Sequence, residues 1–277
     1  MKQTIKLIFY YFAYQLLFAF LASGLFTVAG LINGTLDFAN LSYEAGQSVG
    51  ATTGLAMVLS GLAMTWHLVH YKYVAFNKET WRQVPLKNIL LSIPFIVSAL
   101  FISSMLTEVM DLPNLMEDTF IQMSHSVAGF ISLSIMAPLI EELLFRGAIE
   151  GHLLRRGMRP KYAILVSALI FGIIHLNPMQ IPFAFFIGLI FGWLYWRTGS
   201  VIPGMIGHFL NNTVASLVML FSTPEEMEQT TADYLGVGPA YALFALAVIV
   251  FISMFFYLNK SLPAAPEYAE EATDNIV

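Results

Sequence analysis

Long apolar stretches alternate with short polar ones along this chain, and the apolar stretches fall into one size class. Spanning a ~30 Å hydrocarbon core takes about 20 predominantly apolar residues, and eight stretches approach that length. They run over 5–32, 48–71, 88–107, 126–152, 161–176, 180–197, 201–221 and 238–259. Lipid offers no partner to a backbone N–H or C=O, so each stretch is expected to be a helix. The fifth and sixth are separated only by the turn at Asn177-Pro178, where proline stops helix continuation. The expected fold is all-α, a polytopic membrane protein of about eight transmembrane helices forming one helical domain over 1–259. Lys2 and Lys6 precede an apolar run from Leu7 to Ile32 that exceeds the short apolar core of a secretory signal, so it reads as a first helix that stays attached. After Lys260 the segment is short, acidic and interrupted by Pro263 and Pro266, which predicts a disordered tail over 260–277.

Composition agrees with lipid as the main solvent: 57% of the 277 residues are hydrophobic and 11% charged, with a mean hydropathy of +0.71. The absence of cysteine excludes disulfides, a thiol nucleophile, thiolate zinc sites and prenyl or palmitoyl anchors. A net charge of -5 without a basic stripe argues against nucleic acid as a partner. Lys and Arg accumulate on cytoplasmic loops. With eight helices and a cytoplasmic N-terminus, every Lys and Arg except Arg146 falls on that one side: Lys2 and Lys6, the loops from Lys72 to Lys87 and from Arg155 to Lys161, then Arg197 and Lys260. The opposite loops carry acids such as Asp37, Glu44, Glu108 and Glu225. Both termini are therefore expected to be cytoplasmic.

The fourth stretch, IMAPLIEELLFRGAIEG, holds Glu141, Glu142 and Arg146. On insertion scales each such charge costs about 2.5 to 3.5 kcal/mol at a helix centre. Glu142 and Arg146 are four apart with the acid first, the favoured order for an ion pair along one helix face. Glu141 points about 100° away from Glu142 and is left over, which suits a general base. The bland alternative is a packing salt bridge with Glu141 reaching into a polar cavity. The fifth stretch ends with His175, and the seventh places His208 and Asn212 four apart on one face, beside Asn211. A lone intramembrane histidine is often structural, and Asn211 and Asn212 serve equally as interhelical hydrogen-bond glue. Counted from the cytoplasmic arginines and lysines, Glu141, His175 and Asn212 all lie about 21 to 22 Å deep at 1.5 Å per residue, with His208 one turn shallower.

Other intramembrane protease designs are missing: no H-E-x-x-H helix, no intramembrane aspartate pair and no G-x-S-x-G elbow occurs. What remains is a carboxylate, two histidines and an amide. Taken in order, EELLFR at 141–146, FGIIH at 171–175 and HFLNN at 208–212 resemble the three motifs of the CAAX protease and bacteriocin-processing family, the glutamate intramembrane endopeptidases related to type II CAAX prenyl proteases. The resemblance covers roughly 126–220, the motif-bearing core. It implies a cavity formed by helices four, five and seven, with Glu141 activating water, His175 holding and polarising that water, and His208 and Asn212 stabilising the oxyanion. Donors of that kind contribute about 2.7 to 4 kcal/mol each. Glu142 and Arg146 become the supporting pair, with Phe145 and Phe171 packing the wall.

The family resemblance implies no cofactor. The same residues also permit Glu141, His175 and His208 to hold a divalent metal. Two further classes stay open: a transporter or proton relay, since intramembrane Glu and His mark ion paths, and a non-catalytic scaffold that binds a peptide. The expected partners are the bilayer and a peptide or protein with an apolar or lipidated segment. The expected location is a bacterial cytoplasmic membrane.

Overall fold

The computed structural model describes residues 2–34, 49–74, 84–262 and 265–268. In chain order its helices are α1 (Lys2–Ile32), α2 (Val49–His70), α3 (Leu86–Met110), α4 (Glu117–Ser124), α5 (Val127–Arg155), α6 (Pro160–Ile173), α7 (Gln180–Thr198), α8 (Ile202–Phe221), α9 (Pro224–Met227), α10 (Thr231–Leu235) and α11 (Val237–Ser261). No strand occurs among the described residues. The chain is an all-α polytopic membrane protein. Lys78, Arg82, Asp37 and Glu44, used above to orient the chain, lie outside the described residues.

All eight expected stretches are helical, but seven are long and apolar enough to cross a membrane. The fifth, α6, has 14 residues and at 1.5 Å per residue is about 21 Å long. It stops early because Leu176 turns into the left-handed region at φ 53° and Pro178 follows, so no helical turn continues through His175.

The seven long helices differ in how much of each is enclosed. In the most apolar window of α5, 56% of residues are buried, against 6% in those of α1 and α11. Ile5, Phe9, Phe20, Val28, Ile249 and Phe256 are among the large apolar side chains these two outer helices leave exposed, as expected of surfaces solvated by acyl chains. α5 is the helix that carries the charges.

The described residues form two compact units. The first comprises Met1–Tyr71, Met116–Glu141 and His208–Met227. Here α2 packs against α1, α4 and the first part of α5. Without a hydrophobic drive between helices in lipid, close backbone approach through small residues supplies the packing energy. Gly54 shows it most clearly, since a Cβ there would sit 2.3 Å from the Gly129 backbone nitrogen.

The second unit comprises Lys72–Leu115, Glu142–Gly207 and Glu228–Val277. Its core joins α3, α7 and α11 through Phe95, Ile96, Ile187, Phe191, Leu194 and Leu258, with Phe95 and Phe251 stacked at 4.9 Å. Arg197, at the end of α7, caps the end of α11: its guanidinium donates to the side chain of Asn259, to the Asn259 carbonyl at 3.0 Å and to that of Leu262 at 3.3 Å. Within the segment expected to be disordered, Tyr268 donates to the Tyr195 and Trp196 carbonyls at 3.4 and 3.3 Å, so residues 265–268 lie against α7. Residues 263–264 and 269–277 are outside the described set.

Because Gly54 meets backbone that cannot swing aside, Gly54→Ala is expected to destabilise the detergent-purified protein by at least the ~1–3 kcal/mol typical of overpacking. Gly24, whose added Cβ would meet nothing within 4 Å, is the control. A thermal melt in which Gly54→Ala and Gly24→Ala behave alike would refute the close approach of α2 and α5.

Candidate active site

α5 is not a uniform α-helix. Two wide π-type segments, Ser132–Met136 and Leu143–Glu150, flank an α-helical stretch, Ala137–Glu142, that ends on the paired glutamates. Such π segments break the regular i to i+4 bonding and occur often at functional sites. Glu141 closes the first unit's share of α5 and Glu142 opens the second's. Adjacent in sequence, they enter different surroundings.

In the first unit Glu141 is 7% exposed, and its Oε2 is buried without a hydrogen-bond partner. That oxygen lies 3.8 Å from His208 Nε2. The separation is too long for a hydrogen bond, yet short enough for both atoms to bond one shared small molecule. Asn212 lies one turn beyond His208 on α8. Its Nδ2 donates to the Leu133 carbonyl at 3.0 Å, and its Oδ1 accepts from Asn211 at 3.0 Å. Leu133 belongs to the first π segment, where the altered bonding leaves a carbonyl for a side chain to use. One of the two Asn212 N–H groups is thereby committed.

In the second unit the Glu142 Oε1 to Arg146 Nη1 distance is 3.0 Å, with both side chains almost wholly enclosed. The guanidinium lies 4.4 Å from the centre of the Phe171 ring and 5.5 Å from that of Phe191, and donates to the Gly188 carbonyl at 3.3 Å. Phe171 also meets Phe145 edge to face at 5.1 Å and the His175 ring at 5.0 Å. Phe171 thus does more than line a wall, because it joins the charge of Arg146 to the imidazole of His175.

The His175 Nδ1 is 2.7 Å from the Phe171 carbonyl. A carbonyl only accepts, so Nδ1 carries the proton and Nε2 is left as an acceptor. His175 is held from its other side by the turn that ends α6. Asn177, fully buried, accepts from the Leu115 N–H at 3.0 Å and donates to Asn114 Oδ1 at 2.8 Å.

A residue that sequence did not single out is Glu150, fully buried, with neither carboxyl oxygen hydrogen-bonded and with Arg146 and Glu142 acting on it electrostatically. α7 makes room for it with Gly192, where a Cβ would lie 2.7 Å from Glu150 Oε2. Its spacing of four from Arg146 was the available signal. Among the described residues no group of three or more His, Cys, Asp or Glu is arranged to hold a metal ion.

A polytopic helical membrane protein with Glu, His and Asn side chains buried among its membrane-length helices is the class this structure defines. Residues 123–214, about a third of the chain, match the family model described as Type II CAAX prenyl endopeptidase Rce1-like. Two curated proteins are similar over part of the chain. One is YdiL of Bacillus subtilis, which carries a membrane-peptidase name; it is 30% identical over 100 residues, 36% of this chain and 41% of that protein. The other, the membrane-embedded CAAX protease MroQ of Staphylococcus aureus, is 35% identical over 104 residues, 36% of this chain and 42% of that protein. The chain thus spans about two-fifths of the length of the curated relatives it matches. No solved structure matches it.

Removing one partner of a buried ion pair costs about 3–5 kcal/mol, so Arg146→Ala is expected to yield little folded protein. Arg146→Lys keeps the charge but loses the planar stack on Phe171 and is expected to fall between. A gradient of thermal midpoints from Arg to Lys to Ala checks the order, and equal midpoints for Lys and Ala would show that charge without stacking contributes nothing. Asn177→Ala leaves the Leu115 N–H without its acceptor and is expected to cost about 1–3 kcal/mol. Hydrogen exchange should then speed up at Leu115 and not at Leu133, in the other unit.

Proposed function

We propose that this protein is an intramembrane endopeptidase in which Glu141 activates the attacking water. The observation that carries it is the buried, unpartnered Glu141 Oε2, 3.8 Å from His208 Nε2, in a segment similar to membrane proteases. Water bonded at about 2.8 Å to both atoms is geometrically allowed.

Glu141 takes a proton from this water while the oxygen adds to the scissile carbonyl carbon. The carbonyl oxygen becomes an oxyanion, which accepts hydrogen bonds from His208 and from the uncommitted N–H of Asn212. The proton held by Glu141 passes to the amide nitrogen, the C–N bond breaks, and a carboxyl and an amine leave without an acyl-enzyme. For His175, whose Nδ1 faces the Phe171 carbonyl, the role of holding and polarising water follows from its motif alone. Glu142 and Arg146 support the fold around this chemistry and do not touch the reacting atoms. The peptidase needs no metal. Support for these roles comes from the three motifs in order and from the contacts of each residue within its own unit.

The substrate is a peptide or protein with an apolar or lipidated segment, reaching the site from the bilayer or the cytoplasmic side. The distribution of Lys and Arg supports cytoplasmic termini in a bacterial cytoplasmic membrane.

The test compares membrane peptides of cells carrying wild-type or Glu141→Gln protein at matched levels. Peptides generated only by the wild type are expected, with activity down by at least about a hundredfold in the variant on the scale of lost acid–base catalysis. Identical peptide profiles would sink the peptidase reading. Cleavage by the purified protein is expected to survive a strong chelator, and loss restored by one added divalent metal would overturn the metal-free mechanism.

A further inference from the structure

Pro138 stands in the interior of α5, three residues before Glu141, and a proline has no N–H to give to the helix. The carbonyl left over is that of Leu133. In a regular α-helix it would accept from the Ala137 N–H, but that N–H bonds to the Ser132 carbonyl, because Ser132–Met136 is a π segment. With π spacing the donor to Leu133 would be the N–H of residue 138, which is the proline. The Leu133 carbonyl therefore has no donor from its own helix. In a chain solvated by lipid it needs one from elsewhere.

The donor is the Asn212 carboxamide on α8, whose Nδ2 lies 3.0 Å from the Leu133 oxygen. A carbonyl only accepts, so the nitrogen end of the carboxamide is the one that faces α5. Asn211 supplies the matching donor at the other end: its Nδ2 bonds to Asn212 Oδ1 at 3.0 Å. The planar carboxamide is thus held at both ends, by an acceptor and by a donor, and the direction of its second N–H is fixed. Pro138, Leu133, Asn211 and Asn212 belong to the first unit, together with Glu141 and His208.

We propose that Pro138 and Asn211 are positioning residues for Asn212. Pro138 keeps the Leu133 carbonyl open to a side chain, Asn211 secures the far end of the carboxamide, and together they aim the remaining Asn212 N–H at the developing oxyanion. This rests on the reading of Asn212 as an oxyanion donor. With an N–H at position 138 the backbone of α5 satisfies Leu133 in either spacing, from residue 137 in an α-helix or from residue 138 in a π segment. Asn212 is then released to turn, and oxyanion stabilisation is lost while substrate binding is kept.

The test uses the full-length protein purified in detergent and a pool of quenched fluorogenic apolar peptides. The variants are Pro138→Ala, Asn211→Ala, Asn211→Asp and Glu141→Gln, with the first and third also made in an Asn212→Ala background. Pro138→Ala is expected to keep or raise the melting midpoint, since alanine suits a helix interior better than proline. Its kcat is nonetheless expected to fall by about 10- to 100-fold, the scale on which misplacement of a reacting group acts, with KM within about twofold of the wild type. Aspartate has the shape of asparagine but offers Asn212 Oδ1 no N–H, so Asn211→Asp is expected to lower kcat more than Asn211→Ala. A packing role gives the opposite order. In the Asn212→Ala background neither change is expected to lower kcat by more than about twofold further, because residues that act through one group are not additive.

A second readout needs no substrate. In protein labelled with ¹⁵N-asparagine, the Asn212 carboxamide signal is identified by its loss in Asn212→Ala. Exchange of its Leu133-bonded proton is expected to speed up in Pro138→Ala and in both Asn211 variants. With Glu141→Gln inactive, three results make the positioning role wrong and leave the peptidase reading standing. Either Pro138→Ala or Asn211→Asp matches the wild type in kcat or changes KM alone, Asn211→Ala proves worse than Asn211→Asp, or the losses persist in full in the Asn212→Ala background. If Glu141→Gln remains active, the peptidase reading falls and the inference with it. Where the pool is not cleaved or a variant does not fold, carboxamide exchange in the folded variants decides: an unchanged rate overturns the inference and a faster one upholds it.

Discussion

The rest of this structure depends on how a full charge is kept inside a membrane protein. Arg146 sits almost wholly enclosed on α5, where an unpaired guanidinium would be far too costly. It is offset by three kinds of contact at once: the Glu142 carboxylate at 3.0 Å, the faces of Phe171 and Phe191, and the Gly188 carbonyl. These partners come from α5, α6 and α7, so the requirements of one side chain dictate how three helices pack. The glycines follow from it. A Cβ at Gly204 would lie 2.5 Å from Glu142 Oε2, and one at Gly192 would lie 2.7 Å from Glu150 Oε2. At these positions α7 and α8 are bare because carboxylates occupy the space.

The π segments of α5 have a related origin. A regular helix satisfies its own backbone and offers nothing to neighbours, whereas a π segment frees carbonyls for side chains. The Leu133 carbonyl takes the Asn212 amide in this way. Polar side chains within a bilayer need such partners, because there is no water to fall back on. Irregular backbone and buried polar chemistry therefore occur together on α5. α1 and α11, regular α-helices throughout, have few buried residues.

Most of the fold was legible because the bilayer imposes one length and one solvent on every crossing element. All eight helices lie where apolar runs put them, and the exception in length, α6, was marked by Asn177-Pro178. The spacing of Glu142 and Arg146 foretold their contact, since i and i+4 share a face. Phe171 was legible only as an apolar wall, because cation–π and edge contacts depend on rings from other helices. Glu150 was passed over although it repeats that spacing from Arg146. The π segments leave no mark in a pattern of apolar residues, so the single-helix depth count could not include them.

The division between Glu141 and Glu142 carries the functional argument. Two carboxylates in succession must point about 100° apart on a helix, so one arginine cannot serve both. Glu142 takes the Arg146 contact and is fixed by it. Glu141 is left with an unpartnered oxygen 3.8 Å from the His208 imidazole. The helix period therefore divides the pair, with Glu142 held by Arg146 and Glu141 turned into the other unit, and this division is what the proposed peptidase role of Glu141 rests on.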